Sequence, residues 1–203
     1  MDRRIRKTEK AFTQALIRLL NEKELARITV KDLCEAADIN RSTFYLHYYD
    51  INDLMDKTEQ QMVDAIFTPV DNNGNEMING ILNTFEYIKN HKNAYRVFLN
   101  VNRGSGLIRK LTERLTDQFT PRIKEMLPGC SDQLARLAAI IHVGGATALL
   151  YDWVVNNDCE VPAIEIIRTV SEMTDIMYRE KQSVNDTIST VINVTNRTNN
   201  TSA

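Results

Sequence analysis

The sequence predicts an all-α protein of about nine helices, on three observations. Apolar residues recur three and four positions apart over most of the first 182 residues, the spacing of amphipathic helices. No stretch alternates apolar and polar residues convincingly enough for a strand, and no internal repeat is present. The interruptions fall on breaker residues: "PVDNNGNE" at 69–76, "NRGSG" at 102–106, Pro128-Gly129 and Pro162.

Each element has a local reason. "EKAFTQALIRLL" sets Phe12, Ala15, Leu16, Leu19 and Leu20 on one face of a first helix. "ITVKDLCEAADI" opens with Thr29 and has Asp32 three residues on, a variant capping box, with Leu33, Ala36 and Ala37 as its buried stripe. Asp38, Ile39 and Asn40 form a tight connection, with Asn40 expected to N-cap a short helix from Arg41. Asp50 is the expected cap of the next helix, Ile51 to Phe67. Further helices are read at 76–91, 93–102, 107–127, 132–156 and 162–181, with Pro121 expected to kink the third of these. The divisions are a three-helix unit at 1–50, a connector helix at 51–68, a larger helical part at 69–182 and a polar tail at 183–203. That tail is poor in charge and rich in Asn and Thr, and is read as mobile. It has N-x-[ST] patterns at Asn185, Asn193, Asn196 and Asn200, which are idle without a secretory route.

Charge is informative only locally. The net charge is -2, yet residues 1–50 hold ten bases against eight acids, and the remainder fifteen against nineteen. The first ten residues, "MDRRIRKTEK", contain five bases and two acids, a basic arm on an acidic body. No window of about 18 consecutive apolar residues exists, so no membrane span and no membrane partner are expected. The N-terminus lacks an apolar segment behind its charges, so no secretory signal is expected. Cys34, Cys130 and Cys159 lack CxxC spacing and read as reduced cytosolic thiols, with no metal site and no cofactor implied. Three histidines, with no HExxH, GxSxG or phosphate-binding glycine loop, leave nothing from which to build an enzyme.

The stretch "LCEAADINRSTFYLHYYDINDLM" carries the functional signal. In a helix from Arg41, Phe44 and Tyr48 lie four apart and pack inward, whereas Arg41, Ser42, Tyr45 and His47 lie on other faces. A helix-turn-helix divides its side chains in this way, with the N-terminal residues of its second helix entering the major groove. Hydroxyls and a guanidinium suit phosphate oxygens and base edges. A plain helical hairpin with a wet polar face has the same composition.

The segment from Ile28 to Leu54, "ITVKDLCEAADINRSTFYLHYYDINDL", resembles the DNA-binding domain of the tetracycline-repressor (TetR) family of bacterial transcription regulators. "TFYLHY" is its most specific part, and the resemblance covers about the first 65 residues. It implies an N-terminal helix-turn-helix domain followed by a larger helical ligand-binding and dimerisation domain. "GGATALLYDWVVNNDCEVPAIEI" looks, more loosely, like a variant of that second domain in Firmicutes members. The resemblance implies that Thr29, Tyr45 and His47 hold phosphates, and that Lys31, Arg41, Ser42 and Thr43 approach the major groove. Many members place Lys at the start of the fourth helix, on the DNA backbone, where this chain has Ile51. Arg3, Arg4, Arg6 and Lys7 are expected to restore that charge. The expected partners are a double-stranded DNA operator, a second copy of the chain, and a small-molecule or protein effector. The expected function is a ligand-responsive repressor binding a palindromic operator in the cytoplasm, at the nucleoid. An activator, or a helical protein-interaction scaffold without DNA binding, is the alternative.

In "QLARLAAIIHVGGATALLYDWVV", Leu134, Leu137, Ala138, Ile141, Gly145 and Ala148 are expected to form a dimer stripe, with Ile164, Ile167 and Val170 as its partner. Phe85, Tyr95, Phe98, Phe119, His142 and Trp153 are the expected pocket residues. The same residues also suit an ordinary core.

Overall fold

The computed structural model describes residues 3–67, 74–101, 105–127 and 129–179. Nine α-helices are found among them: α1 (Arg3–Glu22), α2 (Val30–Ala37), α3 (Arg41–His47), α4 (Ile51–Ile66), α5 (Gly74–Asn90), α6 (Lys92–Asn100), α7 (Ser105–Met126), α8 (Asp132–Val155) and α9 (Ala163–Arg179). Leu25–Arg27 adds one short 3-10 turn between α1 and α2. The protein is all-α, as the periodicity predicts. The polar tail at 183–203, the break at 69–73, residues 102–104 and Pro128 lie outside the described residues.

Met1–Glu160 form one compact unit and Val161–Ala203 another. In the first, α1 packs on α2 and α6, α2 on α3, α4 on α7, and α6 and α7 on α8. Its N-terminal core centres on Phe12, Leu16, Leu33, Phe44 and Leu54, all fully buried. Phe12 meets Phe44 edge-on at 5.3 Å and Tyr48 at 5.8 Å, which adds directional ring contacts to burial. Arg18 on α1 donates to the Ala36 carbonyl near the end of α2.

Charged groups join α4 to α7. Lys110 on α7 bonds Glu59 at 2.9 Å and also meets Asp56. The Lys110 and Glu59 side chains are each only 11% exposed. Burial opposes the Lys110 charge, but the Asp56 and Glu59 carboxylates outweigh it and push the ammonium pKa up. Arg114 bonds Asp64 one turn further on and lies 4.7 Å from the Phe67 ring centre. In the second unit, α9 leaves Ile164 and Val170 exposed and Ile167 half-buried.

Four expectations are corrected. Helix α1 begins at Arg3, so the basic arm is itself helical; Arg and Lys are good helix formers and no breaker precedes Glu9. Ser105 and Gly106 belong to α7 and not to a loop; the Glu59 carboxylate fills the space a Cβ on Gly106 would occupy, so the glycine there answers to packing and not to a turn. Asn40 caps α3 through its carbonyl, which accepts from Thr43 and Phe44, and its side chain makes no cap bond. Helix α8 is long and apolar enough, by length and composition, to cross a membrane. Scattered polar residues interrupt its apolar runs but leave its average high. A mostly buried core helix of a globular protein passes that test as well; α8 packs against α6 and α7, with 22% of its apolar window buried.

Candidate nucleic-acid interface

The site begins with the cap of α2. Thr29 Oγ1 accepts from the Asp32 amide at 3.2 Å, and Asp32 Oδ2 accepts from the Thr29 amide at 2.9 Å. Lys23 donates to the same carboxylate at 2.7 Å. These bonds, Lys23's first and then those of Thr29, hold the Asp32 carboxyl down at about 2. The Thr29 hydroxyl accepts in the capping box, which leaves its own hydrogen to donate outward. Helix α2 then stops because Asp38 turns left-handed, at φ 55°, a conformation that Asp tolerates better than most residues. Its amide and that of Ile39 close on the Glu35 and Cys34 carbonyls.

Helix α3 divides its side chains by chemistry. Phe44 is fully buried and Tyr48 nearly so, and burial pushes the Tyr48 phenol pKa up. Arg41 and Ser42 are exposed, Tyr45 is 60% exposed, and Thr43 and His47 are half-buried. The Tyr45 ring braces edge-on against Phe44 at 5.4 Å, and its hydroxyl end reaches solvent. Lys31 is exposed on α2 and pairs with Glu35 at 3.7 Å, a weak surface pair that an incoming phosphate can replace. Arg3, Arg4 and Arg6 lie exposed on the first turns of α1.

The corner after α3 is held from α4. Lys57 donates to the His47 carbonyl at 2.9 Å and to Asp53 at 3.0 Å, and its ammonium lies 5.2 Å from the Tyr48 ring centre. Asp53 also accepts from the Tyr49 amide at 2.9 Å, and that bond, then Lys57, holds its carboxyl below the ordinary range. Sequence reading missed Lys57. Its pairing with Asp53 follows helical spacing, but its reach to His47, ten residues back, depends on the fold. Leu46 and Tyr49, 83% and 87% exposed, were also missed.

The expected pocket residues separate into groups. Phe85 meets Trp153 edge-on at 4.8 Å, and Phe119 pairs with the exposed His142 at 5.3 Å. Tyr95 and Phe98 are buried on α6, and the Tyr95 hydroxyl donates to the Met62 carbonyl of α4 at 2.9 Å. The Thr116 hydroxyl on α7 is buried with no hydrogen-bond partner among the described residues. Among those residues, no group of three or more His, Cys, Asp or Glu is placed to hold a metal ion. On α8, Ala135, Ala139, Val143 and Thr147 face inward. Leu134, Leu137, Ile141, Gly145 and Ala148 are exposed and Ala138 is half-buried.

A family profile described as "Transcriptional regulator C-terminal region", of the TetR family, matches residues 75–176, half of the chain. The chain belongs to the TetR family of transcriptional regulators. The match covers α5 to α9 apart from the last residues of α9, so it is independent of the helix-turn-helix motif in the first 65 residues. The solved structures that share the fold of this TetR-family regulator include two other regulators. The dihydroxyacetone kinase operon activator DhaS superposes with a TM-score of 0.55 at 13% identity, covering 82% of this chain and 93% of that one. The fatty acid degradation regulator FadR from Bacillus halodurans superposes with a TM-score of 0.56 at 15% identity, covering 85% and 95%. No curated protein matches this TetR-family regulator by sequence.

Proposed function

We propose that the protein is a sequence-specific repressor that binds a palindromic operator as a homodimer in the cytoplasm, at the nucleoid, and releases it when an effector binds. One observation supports this most: the exposed Arg41, Ser42 and Tyr45 stand on an aromatic base of Phe12, Phe44 and Tyr48 that fixes where they point. In this reading Arg41, Ser42, Thr43 and Lys31 approach base edges, while Thr29, Tyr45 and His47 hold phosphates. Arg3, Arg4 and Arg6 add phosphate contacts from α1. The functional divisions remain 1–50 for DNA, 51–68 as connector and 69–182 for effector and dimer.

A second copy of the chain covers the exposed stripe of α8, with Ile164, Ile167 and Val170 of α9 contributing. Two-fold pairing sets two reading helices roughly 34–36 Å apart, one turn of duplex. Effector binding among Phe85, Tyr95, Phe98, Phe119, His142 and Trp153 favours a spacing that no longer fits the operator. Thr116 offers an effector a buried hydroxyl with nothing to lose.

Footprinting on the promoter beside the protein's own gene, followed by transcription in vitro, tests the reading. Salt-sensitive, sequence-selective protection with lowered transcription supports it. Raised transcription marks an activator, and no selective protection defeats the DNA-binding proposal.

A further inference from the structure

Leu46 has no role in the fold that its burial can explain. It is 83% exposed on a seven-residue helix whose neighbouring Phe44 is fully buried. Tyr45 and Tyr49, exposed on either side, end in hydroxyls that can reach phosphates. Leu46 has no donor, acceptor or charge, so only an apolar surface rewards its contact.

Its position specifies that surface. Leu46 lies one helical turn after Ser42 and shares its stripe, beside the stripe of Arg41 and Tyr45. The exposed face of α3 therefore runs from hydrogen-bonding groups to an aliphatic one within about two turns. The major-groove edge of duplex DNA offers the same mixture, since thymine alone among the four bases presents a methyl group there. The turn that carries Leu46 is also held in place. Lys57 donates to the His47 carbonyl next to it, and Asp53 fixes the Tyr49 amide. Backbone held in this way loses little freedom on contact.

We propose that Leu46 reads the C5-methyl of a thymine, so that operator half-sites carry an A·T pair opposite the second turn of α3. This rests on the DNA-reading proposal above and deepens it. The full-length protein is used to enrich duplexes from a random pool. The enriched pool is then copied in two forms, one with thymine and one with uracil, which differ only by that methyl.

The wild type should bind the uracil copy about fourfold more weakly for each methyl contacted. Leu46→Ala should bind both copies alike, near the wild-type level on uracil, and Leu46→Met should keep most of the difference. The exposure of Leu46 means that these variants should retain the wild-type helical signal. Equal binding of the two copies by the wild type, or an undiminished ratio in Leu46→Ala, overturns the methyl contact and leaves DNA reading intact. Failure to enrich any sequence overturns both.

Discussion

Two exposed apolar-bearing faces among the described residues differ in kind. The face of α3 mixes Arg41, Ser42, Tyr45 and Leu46, each a different chemistry, over a buried aromatic base. The face of α8 repeats one chemistry: Leu134, Leu137, Ile140 and Ile141 are exposed, followed by Gly144 and Gly145 with open space at their missing Cβ positions. A mixed face suits a partner whose surface varies from point to point, such as a groove floor with donors, acceptors and methyls. A uniform aliphatic face with small residues suits close approach by another helix of the same kind. The first face can encode information and the second only adhesion.

Removing the base of the first face should have the largest effect. Phe44→Ala empties a fully buried ring position and should cost about 3–5 kcal/mol of stability, read by urea denaturation. Ile141→Ala on the second face, 78% exposed, should change monomer stability little. If the two variants lose similar stability, the faces are not the different things described here.

Next in size is loss of pairing. Ile141→Glu places a charge in the centre of the α8 face and should give a folded monomer in sedimentation. Operator affinity should fall by about two orders of magnitude as bivalent engagement is lost. A dimer that persists undiminished would place the pairing surface elsewhere. Arg41→Ala should leave the dimer intact and weaken the preferred site by about 1–3 kcal/mol, with non-specific binding barely changed. A uniform loss on all sequences would make Arg41 a phosphate contact instead.

The smallest effect concerns the cap beneath the reading face. Folding lowers the Asp32 carboxyl from 3.8 to about 2, so its ion pair and cap bonds stabilise the protein above pH 3.8 and fade as pH falls towards 2. Asp32→Asn should flatten the pH dependence of stability in that window. Thr29→Ala should cost about 1 kcal/mol at neutral pH. Equal acid sensitivity with and without Asp32 would remove the capping box from the account.

The first face was more legible in the sequence than the second. Thr29 with Asp32, and the four-residue spacing of Phe44 and Tyr48, are local signals, and the structure places them as local rules require. Asn40 does stand at the N-cap position of α3, but its side chain makes no cap bond, and only its carbonyl accepts, from Thr43 and Phe44. The α8 face was partly legible. Apolar residues occur on all sides of that helix, so its periodicity alone cannot say which side is covered, and Ile140 and Gly144 went unmarked. Lys57 on His47 and Lys110 on Glu59 were invisible, since each contact joins residues that no helical period relates.

The sequence by itself determined where α2, α3 and α4 start, which rings go under α3, and which polar groups stay above them. Those outcomes follow from hydrogen bonds and side-chain spacing within a few residues. Only the tertiary structure decided that Lys57 would hold the end of α3, that Glu59 would take the space beside Gly106, and that Leu46 would stand clear of the core. Each depends on which helix packs against which, and chain-distant groups have no defined separation until the packing exists.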